Sequence, residues 1–159
     1  AASDRYYPFS SVELFLSSEN TLMINAPLVC DDTLQTNDIA RIYPDGSFTI
    51  LGRKDNVINS GGIKVQAEEI ERLLQSSIPV PFVITSVPDR RLGQAVTLLI
   101  EGQMEISALG TKLESVLASY YRPKYIYTVN HIPQTGNGKI NRKECRVLAE
   151  SLQLLGRQE

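Results

Sequence analysis

Apolar residues recur along this chain at two spacings, and the change from one to the other marks out its elements. Residues 12 to 16, Val-Glu-Leu-Phe-Leu, and 22 to 30, Leu-Met-Ile-Asn-Ala-Pro-Leu-Val-Cys, are short β-favouring runs separated by the turn-rich Ser17-Ser18-Glu19-Asn20. Pro27 has no N–H to give to a ladder, so it interrupts the second run or puts it at a sheet edge. Ile39 to Tyr43 and Ser47 to Leu51 flank Pro44-Asp45-Gly46. Proline presets φ and glycine accepts a positive φ, so this stretch predicts a β-hairpin.

From Ala67 the spacing lengthens. Apolar residues at 67, 70, 73 and 74 share one helical face. Glu68, Glu69 and Glu71 lie early in that helix, where its dipole favours negative charge, and are expected to be solvated. Val80 to Val87 and Ala95 to Glu101 read as strands joined by Pro88-Asp89-Arg90-Arg91-Leu92-Gly93. Ile106 to Leu117 carries apolar residues at 106, 109, 113, 116 and 117, a second amphipathic helix. Tyr125 to Val129 is a further strand, and a last helix runs from about Asn141 to Leu152. The order predicts an α+β fold, a small mixed sheet with helices packed on it.

With 159 residues and 42% hydrophobic content the chain suits one ordinary core. A formal net charge of −2 supplies no field for nucleic acid or an anionic membrane, so neither is an expected partner. Tyr120, Tyr121, Tyr125 and Tyr127 are assigned to core and rim, since no basic groove accompanies them. Cys30 and Cys145 match neither a CxxC motif nor a metal-ligand spacing and read as free thiols of a reducing compartment. No apolar run reaches bilayer length, and Ala1 to Ser10 lacks the regions of a signal peptide, so a soluble, cytoplasmic protein is expected. His131, the sole histidine, has no triad motif around it.

Three motifs carry candidate chemistry: Thr36-Asn37-Asp38, the stretch Leu51 to Glu71, and Ile132-Pro133-Gln134-Thr135-Gly136-Asn137-Gly138-Lys139-Ile140. The last is not a P-loop, because Ile140 follows the lysine and the first glycine is misplaced. In this order and spacing the three resemble the small C-terminal domain of the adenylate-forming enzymes, which include acyl-CoA synthetases, luciferases and peptide-synthetase adenylation domains. The match runs from about Leu22 to Ala149. The resemblance implies that Asp38 accepts hydrogen bonds from both ribose hydroxyls of ATP, as a carboxylate with two acceptor oxygens can. Asn37 stands where the family usually has glycine. Arg53 is implied to lie beside the nucleotide. Asp55 is the implied hinge about which the small domain turns between adenylation and thioester formation. Gly61 and Gly62 would line the passage for the pantetheine arm, where a missing Cβ admits a ligand close to the backbone. Lys139 is the implied catalytic residue, bridging carboxylate and phosphate, with Gly136 and Gly138 lending its loop mobility.

The resemblance further implies a fragment. Residues 1–37 are expected to be the last strands of a large N-terminal domain, and 38–159 the small lid domain, with the catalytic-lysine loop at 133–139. ATP and CoA are the implied co-substrates, with Mg2+ accompanying ATP at a site outside this chain, and the fragment alone is expected to be inactive. Asn37 to Ala40 and Asn56 to Lys64 look most like the o-succinylbenzoate-CoA ligases of menaquinone biosynthesis. The alternatives are another acyl- or aryl-CoA synthetase, an adenylation domain, or a non-catalytic module that kept the fold. Pro133 followed by Gly138-Lys139 resembles a lysine acetyltransferase recognition pattern, which makes such an enzyme an expected partner at Lys139. Arg157-Gln158-Glu159 does not resemble a peroxisomal signal.

Overall fold

The computed structural model describes residues 5–156; the terminal triplet just mentioned and the first four residues of the N-terminal stretch lie outside them. The chain forms two compact units, Ala1–Asp55 and Asn56–Glu159.

In the first unit four strands follow one another as an antiparallel sheet: β1 (Glu13–Leu16), β2 (Thr21–Asn25), β3 (Leu34–Ile42) and β4 (Phe48–Arg53). The turn after β1 is held by Ser17, whose Oγ accepts from the Glu19 and Thr21 amides at 3.2 and 3.1 Å. β2 stops at Asn25, two residues before Pro27, as the missing N–H requires. At the Pro44-Asp45-Gly46 turn Asp45 Oδ1 accepts from Ser47 N at 3.0 Å, and Gly46 takes φ 80°. β3 runs unbroken across residues 37 and 38, so the boundary expected there falls inside one strand; the division between units comes after Asp55. β2 and β3 pair because each satisfies the other's backbone groups, which ties the expected remnant of residues 1–37 to Asp38.

The second unit contains β5 (Val57–Ser60), β6 (Ile63–Gln66), α1 (Ala67–Leu74), β7 (Phe82–Asp89), β8 (Gly93–Glu101), α2 (Ile106–Val116), β9 (Tyr125–Val129) and α3 (Arg142–Leu155). Its sheet runs β6-β5-β8-β7. β7 takes one edge of β8 along its length; the other edge is shared by Ser60 of β5, opposite Gly93, and by β9, which runs parallel from Thr97 to Glu101. The sheet is therefore mixed.

Alternation along the central strands sends side chains to two cores. Ile84, Val96, Leu98 and Ile100 meet Ala67, Ile70 and Leu74 of α1 and Leu109 and Leu113 of α2. Val83, Val87, Ala95 and Leu99 meet Cys145 and Ala149 of α3 on the opposite face. Three helices thus pack on the mixed sheet as the sequence pattern predicts, α1 and α2 on one face and α3 on the other. The α1 glutamates differ from expectation. They are fasteners: Glu71 pairs with Arg142, Glu69 accepts from Tyr121 OH at 2.8 Å, and Glu68 accepts from Asn56 and Gln66. The short-range pattern that placed them on a helix start carried no trace of partners up to 71 residues away.

Both cysteines are free, Cys30 exposed and Cys145 buried. Burial pushes the Cys145 thiol up to about 11. An unfolded thiol ionises near 8.5, so the stability tied to Cys145 is whole below about pH 8.5 and declines as pH rises toward the folded value. A thiol reagent at neutral pH should modify Cys30 in the native chain and Cys145 only after denaturant is added. Rapid modification of both thiols in the native state would contradict the packing of α3 described here.

Candidate functional site

Two irregularities in the first sheet build a charged cluster. Met23 stands opposite Gln35 and Thr21 opposite Ile39, so Thr36, Asn37 and Asp38 together face Leu22 as a bulge. Thr36 Oγ1 stitches it, donating to Leu22 O at 2.9 Å and accepting from Asp38 N at 3.1 Å. Asn37 is not in the left-handed region; Asn20, at φ 61°, is the non-glycine residue that is among those described. The bulge therefore makes no demand for glycine at 37. A second bulge sits in β4, where Ile39 faces Gly52 and Ala40 faces Ile50, leaving Leu51 extra.

Beside both bulges Asp38 and Arg53 come directly opposite one another. Arg53 Nη1 donates to Asp38 Oδ1 at 3.4 Å, and Nη2 lies 4.0 Å from Asp55 Oδ2. Their side chains are 35%, 53% and 69% exposed for Asp38, Arg53 and Asp55, so the pairs are solvent-screened and contribute little stability. The structure thus gathers three of the six sequence-predicted residues, all in the first unit. Asp38 Oδ2 has no partner among the described residues and remains an open acceptor.

Gly61 and Gly62 belong to the second unit. Ser60 pairs with Ile63, which leaves the two glycines as a two-residue turn with φ 60° and 84°. Positive φ at both positions is the primed turn whose twist suits a tight hairpin, so the pair has a structural cause as well as the one the resemblance implies. The two differ in surroundings. A Cβ on Gly61 would come within 3.2 Å of Leu92 Cδ2, whereas one on Gly62 would meet nothing within 4 Å. Gly61 N donates to Leu92 O at 2.9 Å, so the turn leans on the β7–β8 connection.

That connection is organised by Asp89, which the sequence placed only in the segment joining two strands. Its Oδ1 accepts from Arg91 N and Leu92 N at 3.0 Å each, and Oδ2 accepts from Lys124 Nζ and from Tyr125 OH at 3.2 Å. The Lys124 ammonium, with those two amides, holds the Asp89 carboxyl well below the usual carboxylate range. Lys124 and Tyr125 are distant in sequence, and nothing local to Asp89 announces them.

Lys139 stands in a closed turn. Gln134 bridges Ile140, Thr135 N donates to Lys139 O at 2.7 Å, Gly138 N donates to Thr135 O at 2.9 Å, and Lys139 N donates to Thr135 Oγ1 at 3.2 Å. The glycines have unlike roles: Gly138 takes φ 79°, which the turn requires, while Gly136 has no positive φ. The exposed Lys139 side chain enters no ion pair with any described residue. Among the described residues no group of three or more His, Cys, Asp or Glu side chains is gathered to hold a metal ion.

No family model matches this chain. It is 38% identical over 126 residues to triostin synthetase I of Streptomyces triostinicus, covering 76% of this chain and 24% of that protein. It is 31% identical over 152 residues to a mitochondrial acyl-coenzyme A synthetase of Mus musculus, covering 89% and 26%. With the 2-succinylbenzoate–CoA ligase of Lactococcus lactis it shares 33% over 113 residues, covering 70% and 25%. The chain spans about a quarter of the length of these curated relatives. Among solved structures, an AMP-forming acyl-CoA synthetase/AMP-acid ligase II-like protein from Dyadobacter fermentans matches at 30% identity and TM-score 0.55, covering 91% of this chain and 43% of that one. Coronafacic acid ligase from Pectobacterium brasiliense matches at TM-score 0.75 and 24% identity, covering 96% and 33%, a likeness of fold. The fold is that of the C-terminal domain of AMP-forming ligases, and the relatives and structural neighbours of this chain are adenylate-forming acyl-CoA ligases, of which it matches a domain-sized part.

Proposed function

We propose that this chain is the C-terminal part of an ATP-dependent, AMP-forming acid-thiol ligase, with o-succinylbenzoate as the carboxylate it activates. The observation that carries the reading is the exposed cluster of Asp38, Arg53 and Asp55, aligned by two adjacent bulges and contributing little to stability. Two strand irregularities that align such a cluster support its use for a ligand. The similarity to a 2-succinylbenzoate–CoA ligase supports the choice of acid, and that to triostin synthetase I favours, as a second reading, an adenylating synthetase for another carboxylate. A non-catalytic module would have no use for all six residues together.

In the proposed reaction a carboxylate oxygen attacks the α-phosphorus of ATP, the bond to pyrophosphate breaks, and acyl-adenylate forms. The CoA thiolate then attacks the acyl carbonyl and AMP leaves. Asp38 accepts from the ribose hydroxyls through its two oxygens, and Arg53 gives its planar fork to neighbouring ribose or phosphate oxygens. Lys139 brings an ammonium to the oxygens on which charge accumulates in the first step. Gly61 and Gly62 admit the pantetheine arm in the second, and Gly62, with open space above it, is the closer approach. Asp55, the last residue of the first unit, serves as the hinge between the two steps. The reading places the acyl pocket, the phosphate-binding loop and the ligands of the Mg2+ that accompanies ATP in a large N-terminal domain, so this chain alone does not turn over. Acetylation of Lys139 by a lysine acetyltransferase would neutralise the ammonium and silence adenylation.

The natural protein, with its upstream region, should convert ATP, CoA and o-succinylbenzoate to the acyl-CoA, AMP and pyrophosphate. Lys139→Ala should slow adenylation by about a hundredfold or more while thioester formation from supplied acyl-adenylate stays within about twofold. Loss of both half-reactions alike, or of neither, would overturn the role of Lys139. Gly62→Val should do the reverse, sparing adenylation and slowing thioester formation by at least about tenfold. Equal loss in both half-reactions would instead show that the turn is needed only for folding.

A further inference from the structure

Three charged side chains that the proposed chemistry does not use are packed between α1, β7 and the start of α3. Glu71 takes Arg142 at two points: Oε1 accepts from Nη1 at 2.9 Å and Oε2 from Nη2 at 2.8 Å. Glu71 Oε1 also accepts from Ile84 N at 2.9 Å, and Arg142 Nη1 reaches Ile84 O at 3.4 Å. The side chains keep only 17% and 27% exposure for Glu71 and Arg142. Arg142 therefore grips one helix and one central strand at once.

Its place in the chain gives that grip a consequence. Arg142 opens α3 three residues beyond Lys139. Between them, Asn141 donates its backbone N–H to Pro133 O at 2.9 Å, closing the base of the lysine turn, and its Oδ1 accepts from Glu144 N at 3.3 Å as the helix cap. Wherever Arg142 is held, the C-terminal root of the turn is held too.

Glu68, on the same side of α1, carries the network to the other end of the unit. It accepts from Asn56 Nδ2 through Oε1 and from Gln66 Nε2 through Oε2, and Oε1 lies 3.9 Å from Arg142 Nη2. Burial pushes the Glu68 carboxyl up, but the hydrogen bonds from Gln66 and Asn56 outweigh it and hold the group below its ordinary value. Asn56 is the first residue of the second unit and follows Asp55 directly. A continuous polar path thus joins the residue after Asp55 to the root of the lysine turn.

Stability alone is a weak reason for such a path. A half-buried ion pair gives up hydration of both charges, and an apolar pair of similar volume would hold α1 on α3 as well. What an apolar pair lacks is direction: a carboxylate and a guanidinium meeting at two points, with one carboxylate oxygen tied to a strand amide, fix both distance and angle. We propose that Glu71, Arg142 and Glu68 are positioning residues, which hold the root of the Lys139 turn in fixed geometry to the segment after Asp55, so that any rotation at Asp55 carries Lys139 with it undamped. The proposal rests on the roles given above to Lys139 and Asp55.

Arg142→Lys and Glu71→Gln test it. The first keeps the charge but loses the two-point fork; the second keeps the shape and an acceptor for Ile84 N. Amide hydrogen exchange on the 159-residue chain is the primary readout. Exchange at Lys139 and Asn141 should quicken by at least about tenfold in both variants, while the amides of β8 exchange as in the unaltered chain. Unchanged exchange at Lys139 and Asn141 would overturn the proposal, and so would β8 amides quickening in step with them, since that reports global destabilisation. Half-reactions of the natural full-length protein are the second readout. Each variant should slow adenylation by about tenfold at unchanged KM for ATP and leave thioester formation from supplied acyl-adenylate intact; equal loss in both steps overturns the positioning role. If the unaltered protein forms no acyl-adenylate, the ligase reading fails, and the exchange data still decide whether the network holds the turn.

Discussion

Burial of both faces of β8 is the constraint on which the second unit depends. Val96, Leu98 and Ile100 face α1 and α2, while Ala95 and Leu99 face α3, and every one of them is almost wholly shielded from water. A strand so enclosed must satisfy its backbone groups within the sheet, which β7 does on one edge and β5 and β9 share on the other. Each burial term of this kind amounts to roughly 1.5–3 kcal/mol per large side chain, far more than any exposed ion pair supplies. The Gly61-Gly62 turn and the lysine turn hang from this frame. The β7–β8 connection props Gly61, and α3, packed by Cys145 and Ala149, begins where the lysine turn ends.

The first unit is built differently. Its few buried residues include Leu22 and Ala40, with Thr21, Ser47 and Thr49 as polar company, and its sheet carries irregular pairing where the second unit's hairpins are regular. Local hydrogen bonding does there what a hydrophobic core does elsewhere. Thr36 Oγ1, acting as donor and acceptor in turn, replaces the ladder bonds that the bulge forfeits. This explains why a threonine is needed at the head of the Thr36-Asn37-Asp38 motif, a point that the proposed ligand role of Asp38 does not explain.

Much of this was legible in the sequence because it is local. The Pro44-Asp45-Gly46 hairpin, the amphipathic face of α1 and the strands on either side of Asp89 all follow from spacing and turn chemistry within about ten residues. The hairpin read between Asp38 and Arg53 is what sets those two residues opposite one another. What was not legible is non-local or lacks a face. Residues 95 to 100 form a nearly continuous buried run, so alternation could not say that a helix lies on each side, and the small Cys145 and Ala149 that dock α3 do not stand out as core. β5 and β6 have four residues each, too short for a periodic signal, and were hidden behind their own turn. The Glu71–Arg142 pair spans 71 positions, and helix-dipole reasoning accounted fully for a glutamate there without it. β2 and β3 pair across residue 37 and the compact units divide after Asp55, because strand pairing decides which segments fold together, whereas a resemblance locates motifs.

The role proposed for this chain is carboxylate activation through an acyl-adenylate. Exchange of labelled pyrophosphate into ATP by the natural full-length protein, with CoA left out, tests it most directly. Exchange should depend on the carboxylate and be suppressed when the carboxylate is omitted. ATP cleavage to ADP and phosphate, or exchange of the same size without any carboxylate, would contradict it.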